Sequence, residues 1–234
     1  MIGFYNYTVI LTYLSLASSV IGMACAICGM LKWAVCCLAI SGLFDAFDGR
    51  VARTKKDRTE DEKSFGIQID SLCDMVCFGV FPVIICWNAG MNSALSFVIL
   101  LFYCLAGLIR LAYYNVMEIN GKQFVKDGKK YYTGLPITSV AVVLPIIFLI
   151  SPLFENYFIY VMTFFMLLMG VLFISNFKLK KPDTKHLMIL IIIVAVIIVY
   201  LLYEFSWKEY FNWNIKDFFM HRFRNLKEGG FLFL

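Results

Sequence analysis

The feature that most constrains this chain is a series of apolar runs, each long enough to cross a lipid bilayer. A helix needs about 20 residues to span the hydrocarbon core. Seven crossings are predicted on this basis, at residues 8–30, 31–49, 67–89, 92–116, 134–152, 155–175 and 186–204. Of the 234 residues, 61% are hydrophobic and 16% charged, whereas a soluble domain carries about 25% charged residues. The sequence therefore predicts an all-α, polytopic membrane protein of six to eight transmembrane helices.

The last part of the chain differs from these runs, because charges recur every few residues among its aromatic side chains. This pattern favours one or two amphipathic helices in the membrane interface over an eighth crossing. We therefore expect a transmembrane domain at residues 1–204 and an aromatic, basic interfacial segment at residues 205–234.

Lys and Arg are distributed unequally among the loops. Loops 50–66, 117–133 and 176–185 together hold fourteen, whereas the three opposite connections hold only Lys32. Cytoplasmic loops carry an excess of positive charge, so the three basic loops and the N-terminus are predicted to face the cytoplasm. Seven crossings would place the basic tail outside, which leaves an eighth or re-entrant segment open. Topology and anionic lipid headgroups account for the net charge of +5, and nothing indicates a nucleic acid partner.

Four aspartates, Asp45, Asp48, Asp70 and Asp74, lie in or beside these apolar runs. A charged Asp near a helix centre costs about 2.5–3.5 kcal/mol of insertion free energy, so the group needs compensation. At about 1.5 Å per residue, Asp48 and Asp45 lie roughly 3 and 8 Å inside the end of the second span. Asp70 and Asp74 lie roughly 6 and 12 Å inside the start of the antiparallel third span. All four are therefore expected at one depth.

Spacing brings each pair of aspartates to one face of its helix. Asp45 and Asp48 are three residues apart, and Asp70 and Asp74 are four apart. Carboxylates at close quarters repel one another unless cations lie between them, and Mg²⁺ and Mn²⁺ prefer oxygen ligands. We therefore predict a site for two divalent ions. The alternatives are a helix-packing role and a pathway for protons or monovalent cations.

Small residues and an arginine beside these aspartates favour a phosphorylated substrate. Gly49 and Gly66 lie at helix ends, where glycine allows close approach to the backbone, and Ala52 is nearly as small. Arg53, one turn after Gly49, can bind a phosphate through two hydrogen bonds. The combination favours a nucleotide-sized substrate held at the membrane surface.

The stretches "DAFDGRVAR" and "GIQIDSLCD" match the pattern D-x-x-D-G-x-x-A-R…G-x-x-x-D-x-x-x-D. This pattern resembles the signature of the CDP-alcohol phosphotransferases. The resemblance implies that Asp45, Asp48 and Asp70 bind one metal ion, and that Asp45, Asp70 and Asp74 bind the other. It also implies that Asp74 takes the proton from the attacking hydroxyl.

The resemblance extends to the donor substrate, because it implies that Gly49, Ala52 and Arg53 contact the CDP group. The gap that follows Arg53, "TKKDRTEDEKSF", is longer than is usual in the family. Ser64 and Thr59 in this gap are candidates for one further substrate contact.

Three stretches bear on the acceptor alcohol. "SLCDMVCFGVFP", "GLIRLAYYNV" and "YYTGLPITSVAVVLP" are similar to segments of phosphatidylserine synthases of the integral-membrane type. The resemblance implies transfer of a phosphatidyl group from CDP-diacylglycerol, or an archaeal ether-lipid equivalent, to L-serine with release of CMP. A homodimer is expected from the resemblance alone.

Arg110, inside the fourth span, is the candidate for binding the carboxylate of serine. Its alternative is a structural arginine that pairs with an aspartate or extends to the interface. Asn115, Gly134, Pro136 and Thr138 are further candidates for the serine site. Inositol phosphate, glycerol phosphate and choline stay open as acceptors, and a cation transporter is the alternative from another class.

Overall fold

The computed structural model describes residues 7–52, 54, 55, 57, 59–119, 125, 126, 129–154 and 157–180. These residues form a helical bundle with a small antiparallel sheet. The helices are α1 (Ile10–Ile27), α2 (Leu31–Ala52), α3 (Glu60–Asp74), α4 (Phe81–Asn88), α5 (Ala94–Ile119), α6 (Val140–Leu149) and α7 (Phe158–Ile174). The strands are β1 (Val125–Lys126), β2 (Lys129–Thr133) and β3 (Lys178–Lys180).

The prediction of a polytopic helical membrane protein is confirmed. In the described part of the chain, three helices are long and apolar enough to cross a membrane, at Tyr7–Ile27, Glu60–Asn88 and Ala94–Glu118. α2, with 22 residues, packs along α1. The predicted seventh span, 186–204, and the interfacial segment, 205–234, lie outside the described residues.

The third predicted span begins earlier than hydropathy suggested, because a polar helical turn precedes it. Thr59 caps α3 through its hydroxyl, which accepts a hydrogen bond from the N–H of Glu62, and the Glu62 side chain accepts one from the N–H of Thr59. This reciprocal cap satisfies two donors at the helix start. α3 then continues through a π-helical segment, Met75–Val80, into α4.

The fifth predicted span, residues 134–152, is shorter in the structure. Gly134 has a left-handed backbone (φ +71°) and Pro136 an extended one (φ −60°, ψ 140°), so neither begins the helix. A 3₁₀ turn at Ile137–Ser139 leads into α6. The ten residues of α6 extend about 15 Å. Hydropathy counted this non-helical entry as part of the span.

A three-stranded sheet forms where the sequence predicted loops. β2 pairs antiparallel with both β1 and β3, and the N–H of Gly134 donates to the carbonyl oxygen of Phe177 at 2.7 Å. The sheet therefore connects the C-terminal ends of α5 and α7. The start of α3 lies at the same end, since Ser71 contacts Asn115 near the end of α5. The described parts of the three basic loops thus lie at one end of the bundle.

Candidate active site

Three carboxylates from α2 and α3 converge at this end of the bundle. An oxygen of Asp45, one of Asp70 and one of Asp74 all lie within 4.8 Å of one another. All three side chains are partly accessible. The convergence follows from the three- and four-residue spacings, which place each pair on the inner face of its helix.

The four aspartates also contact one another in pairs across the two helices. The carboxyl group of Asp45 lies within hydrogen-bonding distance of Asp74, and that of Asp48 lies within hydrogen-bonding distance of Asp70. Asp48 is 8% exposed, and its Oδ2 accepts a hydrogen bond from the Thr12 hydroxyl at 3.2 Å. All four predicted ligands therefore belong to one connected group.

The chemistry of this group fits a divalent cation. Its donors are hard carboxylate oxygens, which Mg²⁺ and Mn²⁺ prefer. Two ion pairs lie near the start of α3, Lys55–Glu62 and Lys63–Glu60, and neither includes one of the four aspartates. A cation held among the carboxylates would offset their mutual repulsion.

The predicted donor side of the site has open space beside α2. Gly49 is exposed, and a Cβ built at this position would meet no atom within 4 Å. Ala52 is partly buried in the last turn of α2. Arg53, the predicted phosphate ligand, lies outside the described residues.

The candidates on α3 differ in their surroundings. Ser64 is exposed in the helix and Gly66 is partly buried. The hydroxyl of Thr59 is engaged by the helix cap, which makes Ser64 the more accessible of the two candidates for a substrate contact.

Arg110 lies in a buried position on α5. It is 6% exposed, and its guanidinium carbon lies 4.5 Å from the centroid of the Tyr114 ring. A Cβ at Gly134 would lie 3.0 Å from the Arg110 Nη1 atom. Glycine at position 134 therefore provides both the left-handed backbone and the room that Arg110 occupies.

Two hydrogen bonds fix the height of Arg110 relative to the carboxylates. Ser71 donates to the Asn115 Oδ1 atom at 2.6 Å, and the Tyr103 hydroxyl donates to the carbonyl oxygen of Phe78 at 2.6 Å. The helix containing Ser71 and Phe78 runs antiparallel to α5. Asp74 and Arg110 both fall between the two bonds, so they lie at a similar depth.

The other acceptor-side candidates lie in the segment that enters α6. The carbonyl oxygen of Pro136 accepts a hydrogen bond from the Ser139 hydroxyl at 2.6 Å, and Thr138 is partly buried in the 3₁₀ turn. Ile137 packs against α5 at Gly107, where a Cβ would lie 2.8 Å from its Cδ1 atom. The turn is therefore held close to the helix that carries Arg110.

The contribution of α1 to the site was not predicted from the sequence. Thr12, Ser15 and Ser19 are buried, and their spacing places them on one face of α1. A polar stripe on an apolar helix is a signal that could have indicated an interior contact near the aspartates.

A match to a known protein family covers this site. The sequence model of the CDP-alcohol phosphatidyltransferases matches residues 5–174. The chain belongs to this family. The match ends at Ile174, the last residue of α7, so helices α1–α7 all lie within the matched region. The four convergent aspartates lie within the matched region.

Curated relatives include serine transferases. The chain is 31% identical over 175 residues to archaetidylserine synthase of Methanothermobacter thermautotrophicus, covering 74% of this chain and 69% of that one. It is 32% identical over 146 residues to CDP-diacylglycerol–serine O-phosphatidyltransferase of Methanocaldococcus jannaschii (62% and 63%). It is 41% identical over 103 residues to the Saccharomyces cerevisiae protein of that name (43% and 36%). The match spans about a third of the yeast protein and somewhat under two thirds of the Methanocaldococcus one.

Proposed function

We propose that this protein transfers the phosphatidyl group of CDP-diacylglycerol, or of an ether-lipid equivalent, to L-serine, with release of CMP. The main support for this transfer chemistry is that carboxylate oxygens of Asp45, Asp70 and Asp74, three residues of the family signature, lie within 4.8 Å of one another. The choice of serine is supported by the names of the relatives and by the buried Arg110 at the depth of Asp74.

Two Mg²⁺ or Mn²⁺ ions would be held by the four aspartates. Asp45, Asp48 and Asp70 would hold one ion, and Asp45, Asp70 and Asp74 the other. When bound, the ions supply positive charge for the diphosphate and for the leaving CMP.

Asp74 would act as the general base. The serine hydroxyl oxygen forms a bond to the β-phosphorus, its proton passes to the Asp74 carboxylate, and the bond between that phosphorus and the CMP oxygen breaks. Asp74 lies at the end of α3, directly before the π-helical segment, and π-helical segments are frequent at functional sites.

The donor would bind beside the second half of α2. The open space at Gly49 lets the CDP group approach the backbone, with Ala52 beside it and Arg53 bound to a phosphate. Ser64 and Gly66, on the facing helix, would line the other side. Phe47 and Leu72 are 37% and 65% exposed, so apolar surface next to the aspartates can contact the acyl chains.

Arg110 would bind the carboxylate of serine. A guanidinium has five donors, so it can bind a carboxylate in addition to its contact with Tyr114. The similar depth of Arg110 and Asp74 suits an acceptor whose carboxylate and hydroxyl belong to one small molecule. Asn115 would hold α5 against α3 through Ser71, with Gly134, Pro136 and Thr138 closing the pocket.

The site would open to the cytoplasm, because the described parts of the three basic loops lie at its end of the bundle and cytoplasmic loops carry excess Lys and Arg. Serine would then enter from water while the lipid donor enters sideways from the bilayer. The homodimer expected from the family resemblance stays a prediction.

The test is CMP release from CDP-diacylglycerol by purified protein in detergent, with and without L-serine and Mn²⁺. We expect release to need both. Inositol phosphate, glycerol phosphate and choline are supplied in parallel. CMP release with one of these and not with serine would contradict serine as the acceptor. Metal uptake into vesicles that contain the protein, without any CMP release, would contradict the assignment as an enzyme.

A further inference from the structure

α1 carries no acidic residue, yet one of its side chains contacts the carboxylate group. Thr12 is 5% exposed and donates from its hydroxyl to the Asp48 Oδ2 atom at 3.2 Å. Its backbone carbonyl accepts a hydrogen bond from the Cys73 thiol at 3.2 Å. Cys73 directly precedes Asp74 in α3. One residue of α1 therefore contacts both helices that carry the aspartates.

The side-chain contact matters most for Asp48. The tight cluster comprises Asp45, Asp70 and Asp74, and Asp48 adjoins it at the neighbouring carboxyl group of Asp70. A carboxylate on a single bond to Cβ rotates unless a partner fixes it. The Thr12 hydroxyl donates to Oδ2 of Asp48. This bond limits rotation of the carboxylate and so fixes the direction in which Oδ1 points.

A buried polar seam behind Thr12 supports this position. The hydroxyls of Ser15 and Ser41 lie 2.7 Å apart, and Ser19 donates to Ser41 at 2.9 Å. The sulfur atoms of Cys73 and Cys77 lie 3.6 Å apart. Because connected buried hydrogen bonds rigidify the elements that they join, the seam fixes α1 against α2 and α3 at the level of the site.

We propose that Thr12 is a positioning residue that sets the affinity of the aspartate group for its divalent ion by orienting Asp48. The inference rests on the proposed function, since it requires Asp48 to be a metal ligand. Partners of this kind typically change metal affinity by about 10- to 100-fold when removed.

The test measures Mn²⁺ binding to the purified protein without substrates, from the electron paramagnetic resonance signal of unbound Mn²⁺. Thr12→Val keeps the shape and removes the donor, so we expect the Mn²⁺ Kd to rise about tenfold. The Mn²⁺ concentration for half-maximal CMP release should rise in parallel, with the KM for serine unchanged. Thr12→Ser keeps the hydroxyl, so its Mn²⁺ Kd should stay close to that of the unsubstituted protein. Ser18→Ala is the matched control, because Ser18 bonds the Cys37 carbonyl at the same helix interface.

The outcomes separate the two proposals. A lower melting temperature of Thr12→Val with an unchanged Mn²⁺ Kd would show a structural role only and would overturn the inference. If Thr12→Val does not fold, Thr12→Cys carries the same test with a weaker donor and an intermediate expected Kd. An unchanged Kd in Asp48→Asn would exclude Asp48 as a metal ligand, and the role of Thr12 with it, whereas the site formed by Asp45, Asp70 and Asp74 would stand.

Discussion

The hydroxyl of Tyr103 donates to the carbonyl oxygen of Phe78 at 2.6 Å. In an α-helix this carbonyl would accept from the residue four positions on, which is Pro82 and has no N–H. Tyr103 and Phe78 are both fully buried, so water does not substitute. The bond fixes the π-helical segment that follows Asp74, and α5 thereby stabilises the helix geometry next to the proposed base.

Removing this hydroxyl should destabilise the protein. In Tyr103→Phe the Phe78 carbonyl loses the Tyr103 hydroxyl, and an intramolecular hydrogen bond contributes about 0.5–1.5 kcal/mol. We expect a melting temperature lower by several degrees in detergent. In a Pro82→Ala background the restored N–H can bond the carbonyl, so the same substitution should cost less. An equal cost in both backgrounds would contradict the pairing.

Asp74→Asn should abolish transfer while leaving the protein folded. The amide cannot accept the serine proton, and general base catalysis contributes about 10²- to 10⁴-fold, so we expect CMP release to fall at least about a hundredfold. Binding of the Mn²⁺ ion that we assign to Asp45, Asp48 and Asp70 should persist, because all three of its ligands remain. Asp61→Asn, in the exposed first turn of the same helix, is the control. Normal turnover of serine by Asp74→Asn would exclude this residue as the base.

Arg110→Lys should impair the use of serine specifically. Lysine keeps the charge but loses the two-point grip on a carboxylate, and hydrogen bonds to charged groups contribute about 1.5–3 kcal/mol. We expect the KM for serine to rise about tenfold or more, with the KM for CDP-diacylglycerol unchanged. Arg50, which lies 6.0 Å from the ring centroid of Phe47, provides the matched control as Arg50→Lys. If both KM values rise together in Arg110→Lys, the arginine supports the whole site and does not select serine.

Gly49→Ala should separate stability from activity. No atom lies within 4 Å of the added Cβ, and alanine favours the helix by up to about 1 kcal/mol, so the melting temperature should hold or rise. The KM for CDP-diacylglycerol should rise, because the methyl group fills space that we assign to the CDP group. Gly42→Ala is the contrast: its Cβ would lie 2.5 Å from the Ala141 Cβ, which should lower the melting temperature. An unchanged KM in Gly49→Ala would place the donor elsewhere.

Most of the helices could be predicted from hydropathy, because a chain that crosses lipid must form long apolar helices. The spacing of Asp45 and Asp48, and of Asp70 and Asp74, likewise predicted which faces meet. The start of the fifth span could not be predicted from hydropathy, because Leu135 and Pro136 are apolar yet lie outside the helix. The pairing of β2 with β3 joins residues more than forty positions apart, and no local pattern indicates such a partner.

The sequence by itself determined the membrane-embedded helices and the four carboxylates, because the free energy of burying apolar residues in lipid and the period of the helix are local properties. Only the tertiary structure decided that Thr12 donates a hydrogen bond to Asp48, that Arg110 and Asp74 lie between the same two interhelical hydrogen bonds, and that Gly134 leaves room for Arg110. These relationships depend on the rotation and relative height of packed helices. Contacts between distant segments set those quantities, and the composition of a single segment does not encode them.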